Sequence, residues 1–180
     1  MTLERHATAV WEWSPTVVPG LLQTAGYARA ILRMGDKRAT EQEISAEVGK
    51  RLTRQDILRG ASPPDLRVVL CESVLMRKVG GQGVMKDQLA SLLIHAERST
   101  TKIQILPLDA DAHLFIDAAA TFLTTPSHMT VVCVEGYRTA GIIEDPDHVR
   151  AAVRAYDDLT GEALSARASA DLIREQLERL

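Results

Sequence analysis

Aromatic residues are scarce in this chain. Only 4% of its 180 residues are Phe, Trp or Tyr, and both tryptophans, Trp11 and Trp13, lie near the start. Cysteine is nearly absent too. Cys71 and Cys133 each sit inside an apolar run, where a small buried thiol is the ordinary role and a reactive nucleophile the rarer one. No run of about 18 apolar residues exists and no basic-then-apolar leader opens the chain, so neither membrane insertion nor secretion is indicated and a cytoplasmic location is expected. Neither sign of charge dominates. Twenty-one Lys and Arg face 24 Asp and Glu, a formal charge of −3, so no global field draws nucleic acid and only a local basic patch could. Internal repeats and low-complexity tracts are missing as well.

What is present begins with an apolar content of 46%, enough for one domain over residues 1–180 with a real core. The most distinctive stretch is Val18-Pro19-Gly20-Leu21-Leu22-Gln23-Thr24-Ala25-Gly26-Tyr27-Ala28-Arg29-Ala30. Pro19 fixes its own φ and Gly20 accepts backbone angles that other residues resist, so the chain can reverse there. Leu22, Tyr27, Ala30 and Ile31 then recur at helical spacing, while Gln23 and Arg29 stay polar near the turn and the outer face. Before this turn, Leu3 to Trp13 reads as a short helix ending at Ser14-Pro15. The tryptophans there are either a hydrophobic plug or one wall of a ligand pocket. After it, Thr40 and Glu43 match a capping box that opens a helix running to about Arg59. That helix carries a buried stripe with Ile44, Val48 and Leu52, and a positive ridge with Lys50, Arg51, Arg54 and Arg59. The ridge is either a solvated face or a set in which Arg51 and Arg54 turn inward to meet Glu72, Glu135 or an anion. Gly60 stops the helix and Pro63-Pro64 enforces an extended link.

From Leu66 the pattern turns to strands. Leu66 to Leu70 predicts a buried strand with Cys71 and Glu72 at its end, and Ile103 to Leu106 predicts a second. Leu114 to Leu123 and Val131 to Glu135 read as a hairpin with a longer loop. A helix from Val84 to Ala96 is inserted between the first two strands. The preceding Val79-Gly80-Gly81-Gln82-Gly83 lacks the Gly-Lys-Ser/Thr ending of a P-loop and the spacing of a dinucleotide fingerprint, so it reads as a flexible connection. Carboxylates at strand ends must be paired, hydrogen-bonded or protonated. If Glu72 and Glu135 lie together, one could be held protonated and act as a general acid. The turn Asp109-Ala110-Asp111-Ala112-His113 gathers metal-ligand types, but no second cluster of regular spacing supports a metal, and a polar turn at the mouth of a site is the better reading. Residues 146–180 carry two amphipathic stripes, Val149, Val153, Tyr156 and Leu159, then Leu164, Leu172, Ile173, Leu177 and Leu180. Such helices pack on a sheet or pair with a second copy, so a homodimer is one expectation.

VPGLLQTAGYARAIL resembles the opening of a bacterial domain of unknown function that normally follows a Xre-type helix-turn-helix in antitoxin-like transcriptional regulators. Lys50-Arg51-Leu52-Thr53-Arg54-Gln55-Asp56-Ile57-Leu58 resembles that family's R-x-x-R-Q-x-x-L helix, and Glu72, Val79-Gly80-Gly81, Ile105-Leu106-Pro107, His113, Phe122 and Glu135 follow in the family's order. The turn Asp109-Ala110-Asp111 departs from the pattern, which has a glycine near this point. The family pattern begins almost at Met1, with no DNA-binding domain ahead of it in this sequence. No direct nucleic-acid binding by this chain is therefore expected.

The architecture expected is α+β: a helical part over 1–60, a small, mainly antiparallel sheet with an inserted helix over 66–135, and C-terminal helices over 146–180. The resemblance implies a sensory or regulatory domain that binds a small molecule or a small protein partner; the motifs themselves lead to the expectation of no cofactor and no metal. The pocket residues expected are Trp11, Trp13, Gln23, Tyr27, Arg51, Arg54, Glu72, His113 and Glu135. The alternative is a cofactor-independent cyclase or isomerase of specialised metabolism, with Glu72, Glu135 and His113 moving protons.

Overall fold

Val10, Trp11 and Trp13 are β-branched or aromatic, and such side chains suit a pleated backbone. In the computed structural model this stretch is a strand, β1 (Ala9–Ser14), rather than the helix expected over Leu3–Trp13. Only Thr2–Arg5 is helical there, as α1. The structure describes residues 2–111, 113–116, 118–136 and 139–180, with side chains from Glu4 onward.

Along the chain β1 is followed by α2 (Ala25–Gly35), α3 (Glu41–Arg54), β2 (Asp65–Cys71), α4 (Ser73–Met76), α5 (Gln82–Ala96) and β3 (Thr101–Leu106). Then come β4 (Ala119–Thr124), β5 (Thr130–Gly136), β6 (Thr139–Ile143), α6 (Pro146–Glu162) and α7 (Ala166–Glu178). The strands form one sheet in the order β3-β2-β1-β4-β5-β6. β1, β2 and β3 run parallel, and β4, β5 and β6 continue the sheet antiparallel. The α+β architecture is as expected, and three of the five ladders among the described residues are antiparallel. Two details differ. The supposedly helical first 60 residues contribute a central strand, and β6 (Thr-Ala-Gly-Ile-Ile) adds an edge that the sequence reading did not include. The expected strand over Leu114–Leu123 is confined to β4; Asp117 within it lies outside the described residues.

Alternation sends neighbouring side chains of each strand to opposite faces. On one face Val10, Leu66, Val68, Leu70, Ile103, Ile105 and Leu123 pack against Met85, Leu89 and Leu92 of α5 and Ile173 of α7. On the other, Val69, Phe122 and Val132 pack against Val149, Ala152, Tyr156 and Leu159 of α6. The two C-terminal stripes are thus spent on the sheet, one helix to each face. Local signals place the helices. Thr24 Oγ1 accepts from the Tyr27 N–H to cap α2, and Thr40 and Glu43 complete the capping box of α3. At the start of α5, Gly80 and Gly81 adopt φ of 70° and 90°, and a Cβ on Gly80 would lie 2.9 Å from that of Ala30. At Gly80 the run forms a tight junction between α2 and α5.

Candidate functional site

The Pro19-Gly20 turn is held by three buried amides, one of them just after the turn and two from helical segments distant along the chain. Gln23 Nε2 donates to Val18 O at 2.6 Å, and Tyr27 Oη accepts from the Val18 N–H at 3.1 Å. Gln55, in a 3-10 turn directly after α3, donates to Gly20 O and Gln23 O, each at 2.8 Å. Gln88 of α5, fully buried, accepts from Thr24 N–H and donates to Leu22 O, both at 2.8 Å. A turn whose backbone groups face inward needs such partners, because each buried polar group left alone costs about 1–3 kcal/mol. Gln88→Leu leaves one N–H and one C=O of the turn unpaired and should lower unfolding stability by about 2–5 kcal/mol in urea titration. A loss below about 0.5 kcal/mol would mean that the amide does not bracket the turn.

Gly20 itself does not have the positive φ that its sequence position suggests; among the described glycines that conformation belongs to Gly80 and Gly81. Its value is small size. A Cβ at Gly20 would stand 3.4 Å from Arg54 Nη2, so the bare backbone lets the guanidinium lie against the turn.

Between this turn and the C-terminal end of β1 opens a cavity of about 550 Å³. Its chemistry comes from Glu12, Gln23, Arg51, Arg54, Thr121 and Glu135, with Ser14–Gly20 as the loop wall. Glu12, Thr121 and Glu135 project from one face of the sheet by register, since Glu12 pairs with Thr121 across β1 and β4 and Glu135 with Ala119 across β4 and β5. The arginines lie one turn apart on α3, as the sequence suggested. Arg54 meets neither Glu72 nor Glu135; its Nε lies 2.8 Å from Glu4 Oε2 of α1, off the angle of a good hydrogen bond, in a largely buried ion pair. Arg51 Nη1 donates to Gln23 Oε1 at 2.8 Å. Burial, then the nearby charge of Arg54, push the Arg51 guanidinium below its ordinary pKa.

Glu12 is the residue that sequence reading missed. It is 5% exposed, it borders the cavity, and among the described residues no donor reaches its carboxyl. Burial raises its pKa from 4.5 to about 7, Glu4 and Glu135 add to the rise through their charges, and Arg54 opposes it. Burial also raises Glu4, against the pull of Arg54. The sequence signal was weak: alternation in β1 puts Glu12 on the face opposite Trp11 and Trp13, together with Val10 and Ser14, and it is buried because that face is covered as well.

The other expected site residues are distributed differently. Trp13 borders the cavity through β1, but its ring belongs to the opposite face, where Nε1 donates to Phe115 O at 2.8 Å. Trp11 stacks on Tyr156 at 5.7 Å between ring centroids and lies under the Arg67 guanidinium, so it is a plug between sheet and α6 and not a pocket wall. Tyr27 is buried in the core and binds the turn. Glu72 directly follows β2 and makes no side-chain cap on α4; its carboxylate accepts from the Leu108 N–H in the turn after β3. The strands carrying Glu72 and Glu135 are three places apart, roughly 14 Å, so the two carboxylates do not converge. His113 packs edge-on against Trp13 at 4.8 Å, and burial lowers its pKa. It borders a separate surface hollow with Asp157 and Glu162 of α6, away from the Arg51 cavity. Ala112 of the Asp109–His113 turn lies outside the described residues. Among the described residues no three His, Cys, Asp or Glu side chains gather to hold a metal.

Fold and site together define a mixed α/β domain with a charged cavity at the carboxyl end of its central strand. The chain matches the family described as Domain of unknown function (DUF5753) over residues 1–175, and it belongs to that family. No curated protein and no solved structure matches it. Among the described residues no helix is long and apolar enough to cross a membrane.

Proposed function

We infer that this DUF5753 chain is a regulatory binding domain whose cavity between β1 and α3 takes a small polar molecule. The observation that carries the reading is Glu12, a buried carboxyl without a partner, opening onto a 550 Å³ space that also presents Arg51. A buried ionisable group in a cleft is costly to keep and is a common mark of a binding or catalytic site. Binding there would change the contacts of the turn, of α1 through Glu4 and Arg54, and of α3 through Arg51. A ligand could in this way alter a surface presented to another domain. The Xre-type helix-turn-helix partner that the resemblance implies, and a cytoplasmic setting, complete the reading.

A second reading has one observation in its favour. The pKa of about 7 at Glu12 suits a general acid or base at neutral pH, as a cofactor-independent isomerase or cyclase would require. Glu12 then takes the role first assigned to Glu72, Glu135 and His113.

Native mass spectrometry of the protein purified from its own host extract tests both. A retained molecule recovered unchanged after incubation supports the binding domain. A retained molecule converted to a new mass supports the enzyme. Retention of a protein partner alone, with no small molecule, overturns the small-molecule reading.

A further inference from the structure

Resting on the cavity reading above, we propose that the occupant is a small zwitterion, its protonated amine paired with Glu12 and its anionic oxygen group with Arg51. Four charged side chains border or adjoin the space in addition to Glu12: Glu4, Arg51, Arg54 and Glu135. Two of them are already committed. Arg54 and Glu4 form the buried pair at 2.8 Å, and the plane of Arg54 is laid against Gly20. Glu135, at the rim, is exposed and solvated. Two groups are left, and they have opposite sign. Glu12 has no donor among the described residues, and Arg51 has a neutral amide, Gln23, at one of its nitrogens, with other N–H donors to spare.

An amine supplies N–H donors and a positive charge to Glu12, whose carboxyl has no hydrogen-bond donor among the described residues and whose opposing cation, Arg54, is already paired with Glu4. A carboxylate supplies acceptors of the geometry that a guanidinium prefers. A carboxylate alone leaves buried Glu12 without a counter-charge, and an amine alone leaves the half-buried Arg51 without one. A neutral ligand satisfies neither. The selectivity therefore comes from two charges on one molecule.

Pairing should also move a proton. The charged groups acting on Glu12 are Arg54 of α3, Glu4 of α1 and Glu135 of β5; Arg51 borders the same cavity, Cys133 of β5 lies on the same sheet face, and Tyr156 of α6 reaches the Glu12 backbone carbonyl from the opposite face. None of these gives the Glu12 carboxyl a hydrogen bond, so an arriving ammonium is the first direct partner for its ionised form. Binding near pH 6 should release a proton from Glu12.

The test uses the full chain and isothermal titration with ω-amino acids from 4-aminobutyrate to 8-aminooctanoate, each beside the alkylamine and the alkanoate of equal length. At pH 8 one chain length should bind at least tenfold more tightly than both of its single-charge counterparts. Glu12→Gln should remove the advantage over the alkanoate, and Arg51→Met the advantage over the alkylamine. At pH 6 the heat of binding should vary with the ionisation enthalpy of the buffer, and Glu12→Gln should abolish that dependence. An alkylamine or alkanoate that binds as well as the zwitterion overturns the proposal, as does an advantage that survives Glu12→Gln or the binding of no member at all. If no member binds while the protein from host extract retains a molecule lacking an amine, the zwitterion falls and the cavity reading stands. If none binds and nothing is retained, both fall. Circular dichroism of each variant confirms that the fold persists.

Discussion

Glu12→Gln should make the protein melt about 6–12 °C higher at pH 8 and only about 1 °C higher at pH 4.5. The native pKa of about 7 lies above the ordinary 4.5, so between those values the folded chain holds a proton that the unfolded chain has released. Stability associated with this group is complete below about pH 4.5 and declines as pH rises through about 7. Above that, the unpaired carboxylate costs about 3 kcal/mol, taking about 1.4 kcal/mol for each pKa unit between the two values. Glutamine keeps the shape and removes the charge, so the gain appears only where the native carboxyl would be ionised. For a chain of this size, 1 kcal/mol corresponds to about 2–4 °C. Equal shifts at both pH values would show that Glu12 is not held neutral, and a lower melting point at pH 8 would show that its charge has a partner in the folded protein. The same substitution should stabilise the free protein while weakening occupancy, the usual opposition between stability and a site that must keep an uncomfortable group.

The second large effect concerns the pair beside it. Arg54→Met removes the counter-charge of Glu4, whose side chain is 6% exposed, and leaves a buried carboxylate near Glu12 and Glu135. Breaking a buried pair on one side costs about 3–5 kcal/mol, whereas removing both charges is far cheaper. Urea unfolding at pH 8 should therefore show a loss of about 3 kcal/mol or more for Arg54→Met. The double variant Glu4→Gln with Arg54→Met should recover at least half of it. Equal losses for the single and double variants would assign the cost to lost packing of the Arg54 stem and plane against Gly20, not to charge. The loss should shrink toward pH 5, because burial already raises the pKa of Glu4 and protonation relieves the unpaired charge.

Much of the local structure could be read directly from the residues. The capping box at Thr40 and Glu43, the period of α3, the apolar runs of β2 and β3 and the paired stripes of α6 and α7 are decided by spacing, because a cap or an amphipathic period acts over four residues or fewer. The α+β class followed from their order. The ridge of α3 left two readings open; the packing turned Arg54 toward Glu4, a partner not among those expected.

Tertiary structure decided the rest. Six residues, Ala9–Ser14, became the centre of the sheet because β2 and β4 were there to pair with them, and a short strand has no stability of its own to announce it. Strand order separated Glu72 from Glu135, and the two-residue alternation of β1 sent the tryptophan rings to one face and Glu12 to the other. Sequence determined which charges this protein carries and on which local element each one sits. Only the packing of α1 and α3 over the carboxyl end of β1 decided which were paired and which was left open, because desolvation and counter-charge depend on neighbours that are distant along the chain.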